Sequence, residues 1–290
     1  MSTDREALPD LPNPLGLEGL AFVEYATLRP QALGQVLEAM GFLPVARHRS
    51  REVLLYRQGD MNLVVNANPD DARASATEDG RPVLSAVGFR VQDARLAQAR
   101  CLELGAWEAP SHARAMELLI PAIHGPGGAH FFFVDRWRDF SIWDIDFVPI
   151  PGVDPRPAAV AGSRFFGVVQ YIGTQRGPDW LAFYERLFGF CEIPDDQRFG
   201  VLPAGKLMRS PCSGFLWQLV EPLGPDDDDG RERLQRIAIA APDVPAAVAV
   251  LRRRGVQFVD AAQLRPDDRG ALTTPQLGSV SFELVHLSAE

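Results

Sequence analysis

The chain repeats itself, and that repeat limits its folds more than anything else in the sequence. LAFVEYATLRPQALGQVLEAMGF in the first half and FFGVVQYIGTQRGPDWLAFYERLFGF in the second each read as a strand followed by an amphipathic helix. The helices close in Gly-Phe, at Gly41-Phe42 and Gly189-Phe190. Leu33, Val36, Leu37 and Met40 recur at helical spacing, as do Trp180, Tyr184, Leu187 and Phe188, and Pro178 suits a first helical turn. Further along, AVGFRVQDARLAQARCLELGA is matched by RIAIAAPDVPAAVAVLRRRGV, with Asp93 and Asp243 as N-caps and Gly105 and Gly255 as C-terminal caps. The offset is 148 residues from Gly41 to Gly189 and 150 from Gly105 to Gly255, which marks a tandem duplication. Each half reads as strand, helix, several strands, and then the same again.

The repeat divides the chain into an arm over residues 1–16, a first domain over 17–148, a Pro/Gly-rich linker over 149–162 and a second domain over 163–290. Its 290 residues suffice for two domains, with 46% hydrophobic and 23% charged residues. The net charge of −9 argues against nucleic acid or an anionic membrane surface as partner. The first residues lack the apolar core of a leader, and no stretch approaches a membrane span, so a cytoplasmic location is expected. The three cysteines, Cys101, Cys191 and Cys212, lack metal-ligand spacing and are read as reduced thiols. GPDDDDGRER at 224–233 reads as a solvated loop without the ligand spacing of a calcium site.

Paired βαβββ modules, duplicated, resemble the vicinal-oxygen-chelate architecture, an α+β fold in which modules curl into a cup around a metal. FVEYA, VLLYRQGDMNLVVNA, AVGFRV, MELLIPAIHGPGG and VDRW in the first half are similar to the 4-hydroxyphenylpyruvate dioxygenase family. So are DIDFVPIPGVDP at the junction and FYERLFGF and SPCSG in the second half. The resemblance implies that the second domain is the catalytic one. In the family it holds a non-haem Fe(II) on two histidines and a glutamate, leaving positions open for a 2-oxo acid and O₂. The matching positions here are Gly167, Arg236 and Glu283, so only the glutamate is kept. Val220 stands where the family carries a polar Asn. The counterparts in the first half are Phe22, Ala86 and Phe132, none of them a metal ligand, as in the family's own metal-free first domain.

The five histidines do not rebuild the site. In the strand SVSFELVH, alternation puts Phe282, Leu284 and His286 on one face and Ser281, Glu283 and Val285 on the other, so His286 points away from Glu283. His48 reads as structural and His112 as a surface loop residue, while His124 and His130 flank a glycine turn with no identified third ligand. No cofactor is therefore expected, and Fe(II) would require an atypical site. Arg236 is expected to point into the cup and pair with Glu283, since a guanidinium can donate two parallel hydrogen bonds to a carboxylate. Tyr171, Trp217 and Gln218 are further candidate lining residues, although Trp217 and Gln218 are adjacent and only one can face the cup.

The leading expectation is a family member without iron-dependent oxygen chemistry that binds a small aromatic or 2-oxo acid through Arg236 and Glu283. One alternative is a dioxygenase with an atypical metal site. Another is a metal-independent isomerase or lyase with Glu283 as general base, which pairing with Arg236 would oppose by lowering the carboxyl pKa. A purely structural role, with the open sheets as an interaction surface, is a third. A homodimer is expected by analogy with the family.

Overall fold

The computed structural model describes residues 12–69, 80–110, 113, 117–194, 205–222, 230–259 and 270–286. His112, most of the acidic run at 224–233 and most of the N-terminal arm lie outside the described residues. The first half contains β1 (Leu17–Ala26), α1 (Pro30–Ala39), β2 (Leu43–His48), β3 (Val53–Gln58) and β4 (Met61–Asn66). It continues with β5 (Val83–Val91), α2 (Ala94–Glu103), β6 (Ala122–His124) and β7 (His130–Val134), and ends with a short α3 (Ile142–Asp146) and β8 (Phe147–Pro149). The second half contains β9 (Arg164–Tyr171), α4 (Gly177–Phe188), β10 (Cys191–Glu192), β11 (Lys206–Arg209) and β12 (Leu216–Val220). It closes with β13 (Arg233–Ala241), α5 (Val244–Arg253), β14 (Gly270–Leu272) and β15 (Phe282–His286). None of the described helices is long and apolar enough to cross a membrane.

The duplication is visible strand for strand. The first sheet runs β6-β7-β5-β1-β4-β3-β2-β8 and the second β14-β15-β13-β9-β12-β11-β10, the same order apart from the added β8. In each sheet the two opening strands of the modules, β1 with β5 and β9 with β13, lie antiparallel at the centre. A parallel partner flanks each of them, β4 and β7 in one sheet, β12 and β15 in the other. This is the α+β vicinal-oxygen-chelate arrangement.

Local chemistry sets the helix ends. Asp93 Oδ1 accepts the Leu96 N–H and Asp243 Oδ1 the Ala246 N–H, each at 2.9 Å, so both aspartates satisfy a donor the helix cannot. Asp243→Ala is expected to cost about 1 kcal/mol, read as a lower urea midpoint at unchanged slope. Gly189 ends α4 in the left-handed conformation at φ 71°, where a side chain would be strained.

The two halves share one apolar core. Phe89 and Phe131 of the first sheet meet Phe188 of α4 at 5.2 and 5.8 Å between ring centroids, and Phe131 meets Trp217 of β12 at 5.5 Å. The linker is also docked: Gly59 N–H donates to the Pro157 carbonyl at 2.8 Å and Val160 N–H to Gln58 Oε1 at 3.0 Å.

Candidate functional site

Strand alternation decides which side chains enter the second cup. Gly167 of β9 is level with Ala238 of β13, and Ala238 in turn with Glu283 of β15. Leu216 of β12 is level with Gly167 on the other side. One same-face step along, Arg236 is level with Val169, and Val169 with Gln218. Arg236 thus starts one step away from the row that holds Gly167 and Glu283, and its long side chain reaches back.

The guanidinium closes on the carboxylate. Arg236 Nε donates to Glu283 Oε2 at 3.0 Å, and Nη2 lies 2.9 Å from the same oxygen. Nη1 donates to Gln235 Oε1 at 2.9 Å. Both side chains are about 2% exposed. The two parallel hydrogen bonds expected from sequence do not form. Both nitrogens converge on one oxygen, and Nη2, although close, is not aligned to donate and has no hydrogen-bond partner among the described residues.

Gly167 is small for a steric reason. A Cβ built there would fall deep inside contact distance of the Leu216 backbone oxygen, so β9 and β12 approach too closely for any side chain. The cavity lined by Gly167, Leu216, Gln218, Ala238 and Glu283 has a volume of about 10 Å³, room for roughly one water.

These residues do not fit Fe(II). Position 167 has neither a donor nor space for one, and position 236 carries a guanidinium, which offers no acceptor to a metal and repels a divalent ion. Glu283 is the single suitable ligand of the three, and among the described residues no group of three or more His, Cys, Asp or Glu side chains gathers anywhere. His124 and His130 do pair across β6 and β7, with rings 5.4 Å apart, and still lack a third ligand among those residues.

Of the other candidates, Gln218 lines the cup and Trp217 does not. Trp217 faces the shared core, fully buried, where its indole N–H donates to Gln170 Oε1 at 3.0 Å. The same oxygen accepts the Tyr184 hydroxyl at 2.6 Å, and burial holds that hydroxyl's pKa well above its usual value. Tyr171 is half-buried at the end of β9, outside the described lining of the cavity, with the Arg233 guanidinium 5.2 Å from its ring. His286, at the end of β15, is level with Ala241 and an odd number of residues from Glu283, hence on the opposite face.

The first cup is built on the same rows and differs in content. Phe22, Gly88 and Phe132 are level across β1, β5 and β7, in the places of Gly167, Ala238 and Glu283. Glu24, Ala86 and His130 form the next row, with Ala86 in the place of Arg236. Beside these rows lies a cavity of about 400 Å³. The iron-triad positions fall in the second cup, whereas the cavity of about 400 Å³ lined by described residues lies in the first. The signal available in the sequence was Ala86, a small residue where the other half has an arginine.

A family model described as "Hydroxyphenylpyruvate dioxygenase, HPPD, N-terminal" matches residues 11–148. The chain is 41% identical over 182 residues to 4-hydroxyphenylpyruvate dioxygenase of Pseudomonas sp. (strain P.J. 874), a match that takes in 62% of the chain and about half, 51%, of that protein. It is 33% identical over 265 residues to 4-hydroxyphenylpyruvate dioxygenase of Pseudomonas aeruginosa, across 85% of the chain and 72% of that enzyme. Among solved structures, a xylose isomerase-like TIM barrel/4-hydroxyphenylpyruvate dioxygenase fusion protein superposes with a TM-score of 0.75 at 23% identity, over 98% of this chain and 51% of the fusion.

Proposed function

The chain belongs to the 4-hydroxyphenylpyruvate dioxygenase family, and from that premise we propose a member without iron-dependent oxygen chemistry that binds a small aromatic or 2-oxo acid in its second cup. The observation that carries this reading is the Arg236 guanidinium, buried and ion-paired with Glu283 where the family places an iron ligand. A fixed positive charge there takes over the electrostatic task of the metal, which is to hold an anion. Nη2 supplies the handle, since a buried donor without a hydrogen-bond acceptor gains by meeting a ligand's carboxylate. The cavity among the described residues holds about one water, so the acid would engage Nη2 as the Arg236 side chain turns toward it. Glu283 is a poor general base in this setting, because its Oε2 is engaged by the guanidinium.

Two measurements test the proposal. Protein purified without chelator is expected to carry iron far below one equivalent, and stoichiometric iron with oxygen consumption on 4-hydroxyphenylpyruvate would overturn it. Thermal shift with 4-hydroxyphenylpyruvate and homogentisate as probes is expected to show saturable stabilisation, about 2.7 kcal/mol at 100 times Kd. The response should vanish in the Arg236→Met/Glu283→Leu double variant, which keeps the cup filled without charge. Equal stabilisation of that variant would remove Arg236 as the anchor.

A further inference from the structure

We propose that the first cup is a second, separate binding site, and that its ligand is a small aromatic molecule carrying a hydroxyl or amino hydrogen-bond donor. The cavity of about 400 Å³ there is within the range of small-molecule sites. Arg236 extends a long side chain along the second cup to Glu283 on the neighbouring strand, whereas the equivalent position in the first cup is the methyl group of Ala86. No long side chain therefore fills the bowl from that strand.

The walls are aromatic and continuous. The Phe22 ring lies 5.9 Å from Phe132 and 5.7 Å from Trp143, and Trp143 lies 5.2 Å from Phe147, with edge and tilted geometries that leave ring faces for a planar guest. All four rings line the cavity.

The polar groups choose the guest. Glu24 Oε1 accepts from Ser85 Oγ at 2.7 Å and from Asn66 Nδ2 at 3.4 Å, which fixes a carboxylate in the lining. The lining guanidinium, Arg51, is ion-paired with Glu117, and its Nε donates to Glu117 Oε1 at 3.1 Å. His48, also in the lining, has its pKa lowered, chiefly by burial, which favours the neutral imidazole. Among the described lining residues, a ligand carboxylate would thus face Glu24 while the one guanidinium is already ion-paired. A phenol or an aromatic amine would find acceptors. The preference is the reverse of the one proposed for the second cup.

The probes are 4-ethylphenol, tyramine and 4-ethylbenzoate, added to the full chain and followed by saturation-transfer NMR and thermal shift. The phenol and the amine are expected to bind, and the benzoate at least 10-fold more weakly. Val64→Phe, which fills the cavity from β4, should abolish binding of both. Glu24→Gln should weaken tyramine at least 10-fold while leaving 4-ethylphenol within about 3-fold, and Ala122→Phe serves as the filling variant should Val64→Phe not fold. No binding of the phenol or the amine at millimolar concentration overturns the site, as does binding that persists in a folded, filled variant. Benzoate binding as tight as the phenol's, and lost on filling the first cup, overturns the ligand class. Acid binding that survives Val64→Phe but not the Arg236/Glu283 double variant belongs to the second cup, so the two proposals stand or fall separately.

Discussion

Arg236→Met is expected to lower the stability of the protein by about 3–5 kcal/mol, because it leaves the Glu283 carboxylate buried without its cation. Both side chains are about 2% exposed, so water cannot take over the role of the guanidinium. Removing the partner of a buried charge costs far more than the pair contributes relative to an apolar replacement. The double variant Arg236→Met/Glu283→Leu is therefore expected to recover most of the loss. Urea denaturation of the three proteins checks this. A single variant within 1 kcal/mol of the parent would mean that the pair is solvated in practice, and a double variant no better than the single would mean that packing, not charge, accounts for the cost.

The second large effect concerns the attempt to restore the missing triad. Gly167→His together with Arg236→His supplies the two imidazoles that the family resemblance calls for, yet the pair of changes is expected to destabilise the fold by about 3 kcal/mol or more. The cause lies in the backbone, since even a Cβ at position 167 collides with the Leu216 carbonyl oxygen across the β9–β12 ladder. A carbonyl in a paired strand cannot rotate away as a side chain would. The doubly substituted protein is expected to be less stable than Arg236→His alone and to show no saturable Fe(II) binding by titration calorimetry. Micromolar Fe(II) affinity in a folded variant would show that β9 and β12 can separate at little cost.

The fold was largely legible in the sequence. A repeat at near-constant offset, with aspartate and glycine marking the same helix ends twice, leaves few architectures open, and the two sheets do follow one strand order. The facing of Arg236 and Glu283 was also legible, because both fall on ligand positions of the family and alternation along a strand agrees. Three things were not. Trp217 could be assigned to the cup or to the core only once its neighbour Gln218 was placed, and its role as a Gln170-bonded core residue depends on α4 bringing Tyr184 alongside. The hydrogen bonding of Arg236 depends on a one-step offset along β13 that no periodicity reveals. The volume of the first cup depends on how widely Phe22, Phe132 and Trp143 are spaced, a three-dimensional quantity with no linear signature.

The seam of Phe89, Phe131, Phe188 and Trp217 across the duplicated halves has a consequence for how the molecule responds to its ligands. Rings from both sheets complete one another's burial there, so neither half can open while the other stays closed without exposing aromatic surface to water. Unfolding is then a joint event, and a ligand bound in either bowl would stabilise both halves together. Two cups with opposite tastes for charge would thus report to a single equilibrium, and heating with either guest should raise one common transition.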